Sequence, residues 1–189
     1  MSATANFWRM PLTAAEHARQ LVWWALLFSA AFAHFCAVQP YGLGINKTPS
    51  LPKGLYLTKQ LASQDTLAKG DWVCLPYAPP EWALARQYMP VGSRVCKPVA
   101  GLSGDTVHIT AKSISVVGAD TAFELMDTDS KGKPVPKFSQ GAYTLASDDV
   151  LLLSAFHPRS LDSRILGTVK RGQVTHRIWP LLTGSRQPA

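Results

Sequence analysis

Two residues of this sequence have the type and setting for acyl-transfer chemistry, Ser50 and Lys97. Ser50 lies in Asn46-Lys47-Thr48-Pro49-Ser50-Leu51-Pro52-Lys53-Gly54-Leu55-Tyr56. Each proline fixes its own φ near roughly −65° and pushes the residue before it out of helical space. Thr48 and Leu51 are therefore expected to be extended, with Ser50 presented on a stiff turn. A serine in such a turn can equally be a plain turn residue. Lys97 is flanked by Cys96, Pro98 and Val99, inside an apolar stretch that reads as a strand. A strand lysine ordinarily points outward from an edge. A buried one is a different reagent: with a pKa of ~10.4 only roughly one lysine in 2,500 is neutral at pH 7, whereas desolvation to ~7–8 makes a usable base. Serine is inert at its own pKa, and a neutral amine within reach can take its proton. The two residues together would make a Ser-Lys variant of the catalytic triad.

The elements that must hold them read as mostly β. Stretches 55–57, 72–75, 94–99, 105–110, 113–117, 150–153 and 173–178 are short, apolar or β-branched, and mostly bounded by Gly, Pro, Asp or Ser. In 105–110, Val107 and Ile109 alternate with Thr106 and His108, as in a half-buried strand. One helix of two turns is expected over 81–88, after Pro79-Pro80. Between 118 and 142 the chain turns polar, with Asp127, Asp129, Lys131, Lys133 and two prolines, and is expected to form an excursion or β-extension of the same domain.

The first forty residues differ. No charged residue occurs from Leu21 to Val38. Those positions would reach ~27 Å as a helix, close to the ~30 Å of a hydrocarbon core. We read 21–38 as an uncleaved transmembrane anchor, 1–20 as a cytoplasmic segment and 39–189 as one domain. A cleaved leader is the competing reading, because Ala31-Phe32-Ala33 has acceptable spacing. A buried core helix would want a polar face that this run lacks. Arg9 and Arg19 before the run balance Lys47 and Lys53 after it, so charge does not orient it.

Composition narrows the remaining classes. A chain of 189 residues with 47% apolar content can build a core, and its net charge of +7 is concentrated late, with six Lys/Arg after Asp149 against the single acid Asp162. Scattered bases without an aromatic platform read as a solvated face, so no nucleic-acid partner is expected. The five histidines are dispersed, which suggests no metal site. No cofactor motif is present. Cys74 and Cys96 could pair in an oxidising compartment or remain small buried hydrophobes.

Four stretches in order carry a resemblance. Ser50-Leu51-Pro52, Gly70-Asp71-Trp72-Val73, Lys97-Pro98-Val99-Ala100-Gly101-Leu102-Ser103-Gly104-Asp105 and Ser160-Leu161-Asp162-Ser163-Arg164-Ile165-Leu166-Gly167 resemble the boxes of the type I signal peptidases. The stretch around Ser50 is more specifically similar to the plasmid-encoded conjugal transfer branch, which matures the pilin subunit. The resemblance implies a signal-peptidase/LexA-like β domain with one N-terminal transmembrane helix. It implies Ser50 as nucleophile and Lys97 as general base, and Thr48 Oγ1 joining the Ser50 amide as an oxyanion hole. Ser160 would hold the Lys97 amine, Asp162 and Arg164 would brace the wall, and Gly104 and Asp105 would support the turn after Lys97. In the pilin-maturing branch the Asp162 position is also associated with activity.

Leu51 stands where general leader peptidases have Met, and Ala155-Phe156-His157-Pro158-Arg159 where their last box opens with Gly-Asp-Asn. Both departures favour the transfer branch. The implied enzyme is a serine endopeptidase of the inner membrane, its domain periplasmic and its apolar strand-turn elements near Ser50 dipping into lipid. Its substrate would be a membrane-associated precursor, a pilin of the conjugative transfer apparatus, with the acyl-enzyme resolved by water or by the pilin's own N-terminus. The alternatives are a general type I signal peptidase and a non-catalytic, membrane-tethered component of the conjugation channel. His157, a loop residue before proline, is read as incidental.

Overall fold

The computed structural model describes residues 13–38 and 40–184, in two compact units that divide between 39 and 40. Among its described residues the first contains one helix, α1 (Ala14–Val38). Thr13 starts it: the Glu16 carboxylate accepts from the Thr13 amide at 2.7 Å while the Glu16 amide donates to Thr13 Oγ1 at 3.3 Å. This reciprocal arrangement satisfies donors that a helix start leaves open. Large apolar side chains, among them Trp23, Trp24, Leu27, Phe28 and Phe32, stay exposed. Even so, no helix among the described residues is long and apolar enough to cross a membrane. The helix expected over 21–38 is present, whereas the span expected there is not met. Glu16, His17 and Arg19 open the helix, His34 interrupts its far end, and the side chains of Cys36 and Val38 lie outside those described. Of the segment expected at 1–20, residues 1–12 also lie outside.

The second unit is β-rich. In chain order its strands are β1 (Tyr41–Asn46), β2 (Gly54–Gln60), β3 (Trp72–Pro76), β4 (Arg94–Leu102), β5 (Thr106–Ile109), β6 (Ser113–Val116), β7 (Ala122–Glu124), β8 (Gly141–Thr144), β9 (Asp149–Leu152), β10 (Val169–Lys170) and β11 (His176–Thr183). Two short helices, α2 (Glu81–Leu84) and α3 (Ser163–Leu166), interrupt them. Seven strands form one sheet in the order β1-β2-β11-β3-β4-β9-β10, and the other four form β7-β6-β5-β8. Every pairing is antiparallel.

β4 matters most for the site. It lies between β3 and β9 and is therefore an interior strand. Val95, Lys97, Val99 and Gly101 alternate as its buried residues, so Lys97 is not a solvated edge lysine. Val95 and Val99 pack with Val73, Leu75, Val150 and Leu152 in one core. Leu151 and Leu153 pack with Val107, Ile109, Ile114 and Val116 in another, towards the four-stranded sheet. Both faces of β9 are thus covered, which is why its sequence is a continuous apolar run rather than an alternation. The polar excursion over 118–142 supplies β7 and the start of β8, so it extends the same domain. The helix expected over 81–88 ends at Leu84, and Gln87 turns to φ 49, outside helical space. Of the strand expected over 173–178, the first residue closes a 3-10 turn and β11 starts at His176.

Candidate active site

The Ser50 turn is tied down from both sides. The side chain of Asn46, at the end of β1, donates from Nδ2 to the carbonyls of Thr48 (3.0 Å), Leu51 (3.0 Å) and Pro52 (3.1 Å). Its Oδ1 accepts from the Thr48 amide at 3.1 Å and from Thr48 Oγ1 at 2.8 Å. Leu51 is buried against Tyr56, Cys74 and Ile178, and the Tyr56 hydroxyl donates to the Pro52 carbonyl at 2.6 Å. Gly54 then lets β2 pass close to β11: at φ +148 a Cβ there would lie 2.1 Å from the Leu182 carbonyl oxygen. No other residue fits that turn without displacing β11.

Lys97 reaches this turn from β4. Its Nζ donates to Ser50 Oγ at 2.7 Å and to the Cys96 carbonyl at 3.1 Å. Ser50 is 8% and Lys97 5% exposed. Burial pushes the Lys97 ammonium down to about 8, with the nearby Asp162 charge opposing the fall and Arg164 adding to it. At pH 7 roughly one such lysine in ten is neutral, some two orders of magnitude more than for a free lysine. One residue away, Cys96 forms a disulfide with Cys74, its register partner on β3. That pairing resolves the choice the sequence left open.

A buried ion pair walls the site. Asp162 is fully buried at the N-cap of α3. It accepts from the Arg164 amide (3.1 Å), Arg164 Nε (2.9 Å) and Nη2 (2.8 Å), and from the Ser154 amide (3.0 Å). Arg164 Nη2 also donates to the carbonyls of Ser154 (2.9 Å) and His157 (3.1 Å). Ser154 closes the circuit, because its hydroxyl donates to the Ser50 carbonyl at 2.5 Å. The backbone of Ser50 is thus joined to the Asp162–Arg164 pair through one residue.

The expected residues do not all take the expected contacts. Thr48 Oγ1 is 3.3 Å from Ser50 Oγ, but it also bonds Asn46. Ser160 is buried beside the site, yet its hydroxyl has no hydrogen-bond partner among the described residues and does not hold the Lys97 amine. Gly104 takes a positive φ of 86 in the turn between β4 and β5. Asp105 accepts from the Leu102 amide at 2.9 Å and from Lys69 at 2.9 Å, so both residues act on the turn and not on the site. His157 accepts from the Arg159 amide, and the side chain that contacts Ser50 Oγ from β4 is Lys97. Sequence reasoning missed Asn46 and Ser154. An asparagine two residues before a Thr-Pro turn carries a usable signal, since its side chain can bond its own backbone. A lone serine after Leu151-Leu152-Leu153 carries none.

The pair opens onto a cavity of about 590 Å³, lined by Ile45, Thr48, Ser50, Met89, Lys97 and Ile178 among others. Such a groove could receive an extended peptide. A nucleophile, a base with a lowered pKa, and apolar walls are the components of covalent acyl transfer.

Comparison with known proteins agrees with this class. The model of the signal peptidase family, peptidase S26, matches residues 15–179, and the chain belongs to that family. Within it, the chain is 32% identical over 154 residues to a plasmid transfer protein TraF from Escherichia coli, covering 75% of this chain and 84% of the relative. A second Escherichia coli plasmid transfer protein TraF is 29% identical over 154 residues, with 75% and 83% covered.

Proposed function

We propose that this protein is a serine endopeptidase with a Ser50–Lys97 dyad. The 2.7 Å contact between a buried lysine and a serine on a pinned turn carries the reading. The neutral Lys97 amine takes the Ser50 hydroxyl proton as Oγ attacks the substrate carbonyl. The resulting ammonium then returns the proton to the leaving amine, and the peptide bond breaks to leave an acyl ester on Ser50. Thr48 Oγ1, turned away from Asn46, and the Ser50 amide would stabilise the oxyanion, with single donors typically worth ~3 kcal/mol. Asp162 and Arg164 support the dyad by fixing Ser154.

By likeness to the plasmid transfer proteins, the substrate we propose is a membrane-associated precursor of plasmid transfer, a pilin. The enzyme would act on the periplasmic side of the inner membrane. The Cys74–Cys96 disulfide suits an oxidising compartment. Leu43, Ile45, Leu181 and Leu182 on β1 and β11 are exposed and suit contact with lipid. The alternative of a non-catalytic component is disfavoured by the intact dyad contact.

The test is intact-mass analysis of the candidate pilin from cells carrying wild-type or Ser50→Ala enzyme. Trimming should stop in the variant; correctly trimmed pilin there would remove the assignment. In wild-type cells, a mass one water below the linear processed chain means the ester is captured by the pilin's own amine. The linear mass means hydrolysis.

A further inference from the structure

A second cavity, about 280 Å³, lies beneath the extension that carries β7. Leu125, Met126, Val135, Pro136, Phe138 and Ile165 give it an apolar wall, with Asp127 and Lys137, paired to each other at 2.5 Å, among the residues around it. It shares Tyr88, Arg159, Ser160 and Leu161 with the cavity at Ser50, so the two adjoin. Arg164 belongs to both neighbourhoods: it pairs with Asp162 beside the dyad, lines the second cavity, and donates from Nη1 to the Glu124 carbonyl of β7 at 3.3 Å. None of the chemistry proposed for Ser50 and Lys97 uses this space.

We propose that the second cavity is a binding subsite for the substrate polypeptide, taking one large apolar side chain at a fixed distance along the chain from the bond that is cut. The inference rests on the peptidase reading and deepens it. Size fits the occupant, since an apolar cavity of ~150 Å³ already holds a benzene-sized group. Continuity selects it: a peptide lying past Ser50 along Ser160 and Leu161 meets the second cavity next. Chemistry agrees, because the Asp129 carboxylate at the cavity already accepts from Arg86 (3.0 Å), Tyr88 (2.7 Å) and the amides of Lys131 (2.8 Å) and Lys133 (2.9 Å). It has little left to offer a charged ligand, so the apolar wall sets the preference.

The experiment uses the whole protein and a decapeptide library. A cleavable core peptide is selected with wild-type enzyme, then extended on either flank with a single leucine or phenylalanine at successive positions. At one position on one flank, KM should fall roughly ten- to hundredfold, the value of burying one such side chain. Ile165→Trp and, from another part of the wall, Val135→Trp should abolish that gain while leaving kcat and KM for the core peptide unchanged. Core cleavage doubles as the check that each variant is folded. A gain that survives in both folded variants, or no gain at any position, would overturn the subsite and leave the dyad standing. A wild-type enzyme that cleaves no library member would overturn both readings.

Discussion

Lys97 and Asp129 are both buried charged residues, and they are treated in opposite ways. Asp129 is satisfied by Arg86, Tyr88 and two backbone amides. Burial opposes its charge, but those bonds outweigh it and hold the carboxyl well below the usual range. Lys97 has a serine oxygen and one carbonyl, with the Asp162 carboxylate that acts on it already claimed by Arg164. Its charge is therefore poorly supported and its proton easily lost. A fully partnered charge fixes structure, whereas an under-partnered one can move a proton.

The largest effect expected is on turnover. Lys97→Arg, whose guanidinium cannot deprotonate, should lower kcat for a cleaved peptide by ~10⁴-fold or more, as loss of a dyad member does. Near-native turnover in that variant would break the contrast at its centre.

Stability should separate the two sites by sign. Lys97 has a folded pKa of about 8 against 10.5 in the unfolded chain, so the unfolded state binds more protons between those values. Wild-type stability should rise with pH across that window, and the burial penalty is complete below it. Lys97→Met should then stabilise the protein at pH 7 by about 3 kcal/mol in urea unfolding, with the gain shrinking towards pH 10.5. An equal gain at both pH values would mean packing, not charge, is responsible. Asp129→Asn should do the reverse, lowering the thermal midpoint with kcat for a short peptide unchanged. Its stabilising contribution is present above the ordinary carboxylate range and lost as pH falls through its lowered pKa.

A smaller effect sharpens the base assignment. Below pH 8 the rate kcat/KM should climb about tenfold per pH unit and level off above it. A flat profile from pH 6 to 9 would separate the lysine from the rate. Smallest is Ser154→Ala, which cuts the link from Ser50 to the ion pair. One buried hydrogen bond is worth ~1 kcal/mol, so a loss of about fivefold in kcat is expected with KM retained. No change in kcat would make that link purely structural.

Much of this was legible from residue order because the informative residues sit in unusual local company. Ser50 lies between two prolines, and Lys97 among apolar neighbours that predict its strand; the structure adds that the strand is interior. β1 was not legible, since Gly42 and Gly44 blur its alternation beside an apolar run. β10 has two residues, too few to show a period. The links made by Asn46 and Ser154 depend on distances that no spacing states. Ser160 shows the converse, a residue placed in the right neighbourhood whose hydroxyl does not make the expected contact and has no hydrogen-bond partner among the described residues.

β11, the last strand in chain order, lies between β2 and β3. Ser50 leads directly into β2, and Lys97 is on β4 beside β3. During synthesis Ser50 and Lys97 therefore belong to separate halves of a sheet that no strand yet joins edge to edge. Only when His176–Thr183 has emerged can the halves close and Gly54 meet Leu182. A ribosome-bound chain arrested before Val174 would carry both Ser50 and Lys97 without the strand that joins their halves, so the order in which the strands are made delays the meeting of the two residues.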